Sequence, residues 1–333
     1  MTTVAVTGVS GFIGDAVARR YADAGAQVRG LDRRFPDPAD PLTPNADPRV
    51  EYVVGDVTRP ADLRRLVAAA DIVVHTAAIV AESGDWGDFD RVNAQAPLWT
   101  ALAARDAGAR SFVHLSSVMV HGFDFPDGVA EDGPLDHAAN PYCATKIRAE
   151  YLLRGIDVPG DFAVHIVRPG DVYGPYSTPW IVRPVQHMHE RTFLYVSPSA
   201  INHVYIDNLV DAIETVVAAG DALSGVPVTA TDGVATPSKE FYGYYADLLG
   251  LRFAPTVPGW MAEPAVGAMA AVLPDSLRRR LDLDRQSIRY LRRHGAYGTS
   301  RLQGLGWSPR VDLAQGRERT AAWLREVGLL PAT

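Results

Sequence analysis

The sequence predicts an α/β fold in which a doubly wound parallel sheet is followed by a smaller C-terminal lobe. Short β-rich apolar runs alternate with segments of helical periodicity up to residue 168, which is the order of repeated strand-helix-strand units. The runs are almost continuously apolar, as are strands that helices cover on both faces. After residue 168 the alternation becomes irregular, so we expect a second structural unit there.

Each element of the sheet region can be placed from these runs. The predicted strands are 3–7, 27–32, 50–56, 71–77, 111–117 and 162–169, and the predicted helices are 12–24, 60–69, 88–107 and 140–156. Five prolines within residues 36–48 predict a surface loop where a crossover helix would otherwise lie. Later segments predict strands at 193–197 and 226–231 and helices at 207–219, 238–249, 284–293 and 314–327.

The composition indicates a large core and no general affinity for polyanions. The 333 residues are 47% hydrophobic with a net charge of −7, so neither nucleic acid nor an anionic membrane is an expected partner. A single cysteine, Cys143, excludes intrachain disulfides, and no apolar run approaches the roughly 20 residues that span a bilayer. His187 and His189 lack the further ligands of a metal site, so none is expected. With no signal peptide evident, the expected location is cytoplasmic.

A glycine-rich turn joins the first strand to the first helix. Gly8, Gly11 and Gly14 stand three residues apart in TGVSGFIG. Glycines there let the backbone approach a pyrophosphate, whose charge is stabilised by the free amides and the positive end of the helix. The spacing also fits an ordinary tight turn. The predicted contacts in this part of a Rossmann-type dinucleotide site are Gly8, Ser10, Gly11, Phe12, Ile13 and Gly14.

An acidic residue at the end of the second strand favours the dinucleotide interpretation. Asp32 lies 18 residues after Gly14, where a carboxylate can accept both hydroxyls of the adenosine ribose. The same carboxylate disfavours the extra phosphate of NADP, so we predict NAD. Arg33 and Arg34 keep NADP open, because an arginine can pair with that phosphate. The proline-rich loop that follows is placed to cover part of the cofactor.

Residues at the ends of the third and fourth strands complete the predicted cofactor site. Asp56 either meets the adenine amino group or caps the helix that begins near Pro60. The small residues of HTAA, at 75–78, let the backbone lie against a flat cofactor. The further predicted contacts are Arg33, Asp56, Val57, Thr76, Ala77 and Ala78.

Tyr142 and Lys146 are the strongest candidates for catalysis. Lys146 is one of only two lysines among 32 basic residues, and on a helix it shares a face with Tyr142, four positions earlier. A cation about 4 Å from the phenol would lower its pKa from about 10 to about 7, where a general acid or base is effective. Lysine, unlike arginine, is a compact point charge that also reaches ribose hydroxyls. The spacing alone is common on exposed helices.

Taken together, these motifs closely resemble the extended short-chain dehydrogenase/reductase family, also described as the NAD-dependent epimerase/dehydratase family. The resemblance covers nearly the whole chain. The matching stretches are TGVSGFIG, Asp32, Asp56, HTAA, Asn93 in RVNA, Ser117, YCATK at 142–146, RPGDVYGP at 168–175, VYIDNLVDA at 204–212 and LGWSP at 305–309.

The resemblance implies a role for each catalytic position. Tyr142 is the implied acid/base, Ser117 polarises the substrate oxygen, and Lys146 holds the ribose and lowers the pKa of the phenol. Asn93 is grouped with them because it is expected to stabilise the catalytic region from the neighbouring helix.

The resemblance also implies an organisation for the whole chain. Pro169 to Val172 are expected to pass near the nicotinamide, and a homodimer is expected to form through helices 88–107 and 140–156, although Trp99 and Tyr151 on those helices equally fit a core. We assign residues 1–175 to the NAD-binding domain, with 204–232 returning to it. Residues 176–203 and 233–333 form the predicted substrate-binding lobe.

Two departures from family patterns bear on the substrate. Family members that dehydrate sugar nucleotides carry an Asp-Glu pair where this chain has Val118 and Met119. Members that bind nucleotide diphosphates usually carry asparagine at the position of Asp171 and an arginine before the strand at 202–207, where this chain has none. An anionic Asp171 near a pyrophosphate costs energy unless a cation intervenes. The chain looks most like the 3β-hydroxysteroid dehydrogenase-like branch.

The predicted function is NAD-dependent interconversion of a secondary alcohol and a ketone on a hydrophobic, steroid-like or polyketide-like substrate. A sugar-nucleotide epimerase or reductase is the first alternative, and a catalytically idle NAD-binding sensor is the second. Candidate apolar pocket walls, although core packing is the favoured interpretation for any single one of them, are Trp180, Phe253, Trp260, Met261, Met269 and Leu273. We predict that the late arginines lie on a solvent-exposed helix face. They are the arginines at 278–280, Arg285, Arg289, Arg292 and Arg293.

Overall fold

The computed structural model describes residues 1–81, 84–251, 254–262, 264, 266 and 285–332. The strands are β1 (Thr3–Thr7), β2 (Gln27–Asp32), β3 (Val50–Val54), β4 (Ile72–His75), β5 (Ser111–Leu115), β6 (Ala163–Pro169), β7 (Asp171–Tyr173), β8 (Tyr195–Ser197), β9 (Ala200–Ile201), β10 (His203–Tyr205), β11 (Pro227–Ala230), β12 (Thr236–Pro237) and β13 (Thr256–Pro258).

The helices alternate with the first strands and dominate the end of the chain. They are α1 (Phe12–Asp23), α2 (Pro60–Val67), α3 (Trp86–Phe89), α4 (Ala96–Asp106), α5 (Pro141–Arg154), α6 (Arg183–His189), α7 (Ile206–Ala218), α8 (Ser238–Leu248), α9 (Arg285–Leu291), α10 (Ser300–Gly304) and α11 (Leu313–Glu326). π-Helical turns occur at Asp90–Gln95 and Thr178–Val182, and 3-10 turns at Val118–His121 and Gly220–Leu223.

Seven strands form one parallel sheet, in the order β11-β6-β5-β4-β1-β2-β3. This confirms the predicted doubly wound, Rossmann-type α/β fold. The strand order reverses between β1 and β4, and at such a switch point the connections leave in opposite directions and open a crevice at the carboxyl ends of the strands. Thr7 and His75, paired at the ends of β1 and β4, mark that crevice.

Alternate residues of the central strands pack into two hydrophobic layers. In β1, Val4 and Val6 face the layer that α1 and α7 cover, whereas Ala5 faces the layer that α2 and α4 cover. Burying a side chain such as valine stabilises the fold by about 1.5–3 kcal/mol. Because both faces are covered, the strands are apolar at almost every position, which is the pattern that predicted the fold.

Residues 204–232 lie against this sheet. Helix α7 packs beside α1, where Arg20 pairs with Asp211 and with Glu214, the latter at 2.8 Å. Strand β11 extends the sheet beyond β6. These contacts support the return of this segment to the NAD-binding domain, while the complete set of domain bounds stays a prediction.

The late part of the chain contains several short elements that the sequence did not predict, although β8 lies within the predicted strand 193–197 and β10 within the strand at 202–207. Three two-stranded sheets pair β7 with β10, β9 with β12 and β8 with β13, and α6 follows the second π-helical turn. Strands of two or three residues are too short to show a periodicity. None of the helices in the described part of the chain combines the length and the apolar character that crossing a bilayer requires.

Candidate active site

A cleft of about 1560 Å³ runs along the carboxyl ends of the central strands and into the late lobe. It brings most of the predicted site together: Gly8, Gly11, Phe12, Ile13, Gly14, Asp32, Arg33, Asp56, Val57, Thr76, Ala77, Ala78, Ser117, Tyr142, Lys146, Pro169 and Val172 line its walls. Ser10 and Asn93 do not line it. The individual roles of these residues stay predictions.

The turn after β1 admits only glycine at two positions. Gly8 has a φ of +71°, and a Cβ there would lie 3.0 Å from the amide nitrogen of Ala77. A Cβ on Gly14 would lie 2.1 Å from the carbonyl oxygen of Gly8. Backbone therefore forms the cleft wall here, at the N-terminal end of α1. This cradle fits a pyrophosphate, which needs close backbone approach and free amides.

Two backbone amides hold Asp32 at the edge of this cradle. Its Oδ2 accepts a hydrogen bond from the Ser10 amide at 3.1 Å, and its Oδ1 accepts one from the Arg33 amide at 2.7 Å. The Ser10 hydroxyl donates to the carbonyl oxygen of Arg34 at 2.9 Å. Ser10 thus orients Asp32 from behind the wall, and the carboxylate lies where ribose hydroxyls are bound in folds of this type.

Asp56 lines the cleft and does not cap α2, whose N-cap is Arg59 without a side-chain cap; its contact with an adenine amino group stays a prediction. Oδ1 of Asp56 accepts from both the amide and the hydroxyl of Thr58 at 2.8 Å, which braces the turn before α2. Burial raises the pKa of Asp56, but the hydrogen bonds from Thr58 and the nearby Arg33 lower it more. The net pKa is lowered, so an ionised carboxylate faces the cleft.

The proline-rich loop lies away from the cleft. Arg19 of α1 donates to the carbonyl oxygen of Asn45 and pairs with the buried Asp47 at 3.4 Å. Residues 35–48 are all described, and none of them lines the cleft. The expectation that this loop covers part of the cofactor is therefore wrong, because its anchors are on α1.

The first turn of α5 directs two candidate residues into the cleft. Asn140 caps the helix by accepting from the Cys143 amide at 2.8 Å, and Pro141 fixes the first turn. Tyr142 and Lys146, one turn apart, then line the same wall. Sequence analysis missed Asn140, which also lines the cleft and whose buried Nδ2 has no hydrogen-bond partner among the described residues. The sequence does contain a signal for this residue, because an asparagine directly before Pro141 and Tyr142 is typical of a helix N-cap.

The two adjacent serines after β5 have different partners. The Ser116 hydroxyl donates to Oε1 of Glu150 at 2.6 Å. Ser117 is close enough to Tyr142 to lower the pKa of the phenol, and its Oγ accepts from the Met119 amide at 3.1 Å. This arrangement places Ser117, rather than Ser116, beside the phenol.

Burial controls the protonation of Tyr142 and Lys146. It raises the pKa of Tyr142 to about 12, against a smaller lowering by the neighbouring Ser117 hydroxyl. It lowers the pKa of Lys146 to about 8, although Glu150 opposes this. Lys146 Nζ donates to the carbonyl oxygen of Leu115 at 2.6 Å and lies 5.8 Å from the centroid of the Tyr142 ring. The expectation of a phenol pKa near neutrality is therefore wrong, because desolvation of the phenol outweighs the distant ammonium.

A buried ion pair supports the catalytic helix from behind. Glu150 accepts from Nε of Arg168 at 2.7 Å and from Nη2 at 2.6 Å, and both side chains are fully buried. Arg168 also donates to the carbonyl oxygen of Glu131 at 2.6 Å. This bidentate pair joins α5 to β6. Sequence analysis missed it, although Glu150 stands one helical turn after Lys146.

Asn93 contacts the loop after β4 instead of the cleft. It lies fully buried in the π-helical turn Asp90–Gln95. Its side-chain amide accepts from the Ile79 amide at 2.8 Å and donates to the Ile79 carbonyl oxygen at 2.9 Å. Ile79 lines the cleft, so Asn93 holds a wall in position. A direct part in catalysis stays a prediction.

A buried arginine neutralises Asp171. Arg293 donates from Nη2 to both carboxylate oxygens, at 2.9 and 3.2 Å, and only 2% of it is exposed. The Tyr290 hydroxyl and the Asn202 amide also donate to Asp171, at 2.7 and 2.8 Å. The expectation that Arg293 lies on a solvated helix face is therefore wrong. Its guanidinium is also the cation that offsets the negative charge of Asp171. The sequence could not show this pair, because 122 residues separate its members.

The far end of the cleft, away from the glycine turn and next to the catalytic residues, is lined mainly by aromatic and apolar side chains, with Arg183 and His187 among the polar exceptions. Trp180, predicted as a wall, lines it together with Met119 and Tyr290. Trp260 and Met261 are 72% and 46% exposed and do not line it, so that expectation is wrong for both. Phe253, Met269, Leu273, the arginines at 278–280 and the side chain of Arg285 lie outside the described residues.

The two histidines considered as metal ligands are separated in the structure. His187 lines the outer cleft, and its Nδ1 lies 2.9 Å from the hydroxyl of Thr192. Nε2 of His189 lies 2.7 Å from the carbonyl oxygen of Leu329. Across the described ranges, no three histidine, cysteine or carboxylate side chains group in a way that could hold a metal ion.

Comparison with known proteins identifies the family to which the chain belongs. The model of the NAD dependent epimerase/dehydratase family matches residues 4–226. The UDP-glucose 4-epimerase of Mycolicibacterium smegmatis is 31% identical over 336 residues, which cover 96% of this chain and 97% of that protein. The 3-beta-hydroxysteroid dehydrogenase of Mycolicibacterium neoaurum is 31% identical over 181 residues, 51% of this chain and 48% of that protein.

A solved structure agrees over the whole length. DesIV, the dTDP-glucose 4,6-dehydratase of Streptomyces venezuelae with NAD and TYD bound, has a TM-score of 0.76 and 25% identity, covering 98% of this chain and 97% of that one. The glycine cradle, Asp32 and the cleft fit the same cofactor. The chain thus belongs to the NAD dependent epimerase/dehydratase family, the extended short-chain dehydrogenases/reductases, and is an NAD-dependent enzyme.

Proposed function

We propose that this enzyme interconverts a secondary alcohol and a ketone on a hydrophobic, steroid-like or polyketide-like substrate. The observation that carries the proposal is the convergence of Ser117, Tyr142 and Lys146 on one wall of a cleft whose far end is aromatic and apolar. At that end, Trp180 and Tyr290 offer large apolar faces. Such walls suit a hydrophobic substrate.

In this proposal Tyr142 transfers the proton to or from the substrate oxygen, and Ser117 donates a hydrogen bond to the same oxygen. Bound NAD supplies the hydride acceptor for oxidation of the alcohol. Tyr142 is protonated at neutral pH because burial raises its pKa to about 12, so its hydroxyl is ready to protonate the oxygen of a ketone. Ser117 lies beside Tyr142 and, in this proposal, donates to the same substrate oxygen. In the oxidative direction Tyr142 must first lose its proton.

The residues that follow Ser117 argue against a dehydration. Val118 and Met119 are 1% and 5% exposed and carry no acid or base. Eliminating water needs a proton donor for the leaving hydroxyl and a base for the adjacent carbon. Neither position supplies one, so the proposed reaction is limited to hydride and proton transfer.

A sugar-nucleotide 4-epimerase is the second candidate, and one contact favours it. Arg293 neutralises Asp171, so the electrostatic objection to a pyrophosphate near that residue no longer holds. The UDP-glucose 4-epimerase relative matches nearly the whole chain, whereas the hydroxysteroid dehydrogenase relative matches about half. We rank the epimerase second because the far end of the cleft is aromatic.

The decisive experiment separates these candidates. Purified protein with NAD is mixed with hydrophobic secondary alcohols, including 3β-hydroxysteroids, and formation of NADH is followed by absorbance. In parallel, UDP- and dTDP-sugars are incubated with the enzyme and the products are separated by chromatography. NADH from the alcohols alone supports the proposal. A changed sugar with no net NADH contradicts it and makes the protein an epimerase.

Replacing the acid/base tests the assignment of Tyr142. We expect Tyr142→Phe to lower kcat by about 10²- to 10⁴-fold, because proton transfer to or from the substrate oxygen loses its donor. NAD affinity, measured by calorimetry, should change little. Tyr151→Phe, on the exposed side of the same helix, is the matched control. An unchanged kcat in Tyr142→Phe would contradict the mechanism, and an unchanged biological role would favour the idle sensor.

We also propose a cytoplasmic homodimer. The lone cysteine, Cys143, is free and buried, so the described fold relies on no disulfide. Tyr151 of α5 is 54% exposed, which leaves a large aromatic side chain available on one of the two helices expected to pair. Sedimentation equilibrium tests the dimer, and Tyr151→Glu should weaken it if these helices form the interface.

A further inference from the structure

Tyr290 lies where the late lobe meets the catalytic end of the cleft. Its ring lines the cleft and packs against one small apolar cluster, as does that of Tyr142. The members of that cluster are Met119, Phe123, Ala139 and Cys143. The ring of Trp180, also on the cleft wall, has its centroid 5.5 Å from that of Tyr290, with 34° between the ring planes. Tyr290 therefore shares one apolar cluster with the catalytic phenol, and Trp180 lies beside Tyr290 on the cleft wall.

The Tyr290 ring is held by its neighbours. Its hydroxyl donates to Asp171 at 2.7 Å. The guanidinium of Arg293 stacks on the ring, with Cζ 3.7 Å from the centroid, and Nε of Arg293 donates to the Tyr290 carbonyl oxygen at 3.0 Å. The hydroxyl and the ring face beneath Arg293 are thus already occupied, so Tyr290 presents only the rest of its ring to the cleft.

Asp171 serves as the anchor for Tyr290 and does not contact the cleft. A carboxylate has about four acceptor positions. At Asp171 they receive the Tyr290 hydroxyl, two contacts from Arg293 and the Asn202 amide. The residue is 1% exposed and does not line the cleft, although Gly170 and Val172 on either side of it do. All four hydrogen-bond acceptor positions of the Asp171 carboxylate are therefore occupied by groups of the protein itself.

We infer that Tyr290, with Trp180, determines substrate specificity by forming the face on which the skeleton of the substrate lies beside Tyr142. This inference rests on the proposed function and deepens it. Contact between an aromatic ring face and a flat apolar surface of the substrate stabilises the complex. The ring face offers no partner to a hydroxyl, and burying a hydroxyl without a partner costs about 1–3 kcal/mol. The class that this face selects is a fused-ring or aromatic secondary alcohol, and polyhydroxylated rings are disfavoured.

The test compares two alcohols and three variants. For a 3β-hydroxysteroid and for 2-butanol, kcat/KM is measured in wild type, Tyr290→Ala, Tyr290→Phe and the surface control Phe35→Ala, which changes an aromatic residue that is 58% exposed and does not line the cleft. We expect Tyr290→Ala to lower the steroid-to-butanol ratio at least about tenfold, mainly through the KM for the steroid, because the missing ring removes apolar contact area. Tyr290→Phe retains the ring and should keep the ratio within about threefold.

A binding measurement separates failure of this inference from failure of the proposed function. Steroid affinity for NAD-loaded Tyr142→Phe and Tyr142→Phe/Tyr290→Ala is measured by calorimetry, which needs no turnover. If no alcohol yields NADH but the steroid binds and loses affinity with Tyr290→Ala, the proposed reaction is wrong and the specificity role stands. If Tyr290→Ala changes neither the ratio nor the affinity, or if the steroid does not bind at all, the specificity role is overturned.

Discussion

Tyr142 and Lys146 form a pair whose protonation states are set by burial. At pH 7 the phenol is neutral, since its pKa is raised to about 12, and the ammonium keeps its charge, since its pKa is lowered only to about 8. Alcohol oxidation needs Tyr142 without its proton and benefits from a charged Lys146. The active combination is therefore a minor form, and its population depends on pH in a defined way.

This arrangement predicts the pH profile of alcohol oxidation. Below about pH 8, kcat/KM should rise about tenfold per pH unit, because each unit increases the deprotonated fraction of Tyr142 tenfold while Lys146 stays charged. Above about pH 8 the profile should become flat. The fraction of Lys146 that is charged then falls tenfold per pH unit, while the fraction of Tyr142 that is deprotonated rises tenfold. Initial rates from pH 6 to pH 10 check this.

Lys146→Arg is the control for that profile. Arginine stays charged across the whole range, so the rise should continue past pH 8 in the variant, at a lower absolute rate because the planar guanidinium fits the site less well. If wild type and Lys146→Arg flatten at the same pH, Lys146 is not the group responsible for the break.

Among the secondary-structure elements, three neighbouring strands each bury a histidine. His75 of β4, His114 of β5 and His165 of β6 are at most 1% exposed. Burial lowers the pKa of His75 to about 3 and that of His165 to about 4, and it also lowers the pKa of His114. The neutral imidazoles suit the apolar layers of the sheet, whereas charged ones would not.

These histidines predict that the fold loses stability in mild acid. In the unfolded chain each has a pKa near 6.5, so below that pH the unfolded state binds protons that the folded state does not. Stability should be full above about pH 6.5 and fall by up to about 1.4 kcal/mol per pH unit for each histidine as the pH drops. Urea unfolding between pH 7 and pH 5.5 measures the slope.

His165→Leu should remove about a third of that slope. The comparison variant is His294→Gln, which changes an exposed histidine and should leave the slope unchanged. Equal slopes in wild type and His165→Leu would mean that His165 already carries a proton in the folded state.

For the molecule as a whole, the pair of Asp171 and Arg293 joins the late segment to the strands beside the cleft. Both side chains are almost fully buried, and Arg293 also donates to the Tyr297 hydroxyl at 3.2 Å. Removing one member of a buried pair leaves an uncompensated charge, whereas replacing both with apolar residues does not. The pair can therefore be tested with a double-mutant cycle.

We expect Arg293→Met to lower the free energy of unfolding by about 3–5 kcal/mol, because Asp171 is left charged and buried. Asp171→Leu/Arg293→Met should recover most of that loss. Denaturant unfolding of wild type, both single variants and the double variant measures the coupling. If the double variant is as unstable as the sum of the singles, the pair contributes no coupling, and packing alone explains the losses.

Sequence reasoning succeeded where the signal lies within a short stretch. The sheet strands, the glycine turn and the later helices were predicted closely, because apolar periodicity and turn chemistry act between near neighbours. It failed for strands β7, β9, β12 and β13 and for the pairing of the three short sheets, for the path of the proline-rich loop and for Trp260 and Met261. Each of these depends on which distant segment packs against it.

The sequence was sufficient for the fold class, the family and most of the predicted positions that meet at the cleft, because a strand-helix alternation with glycine, aspartate and Tyr-x-x-x-Lys spacing has few structural solutions. Only the tertiary structure decided the electrostatics. The pKa of Tyr142 depends on how deeply it is buried. The carboxylate of Asp171 is paired with an arginine 122 residues away. Desolvation and charge pairing act through space, so they cannot be seen along the chain.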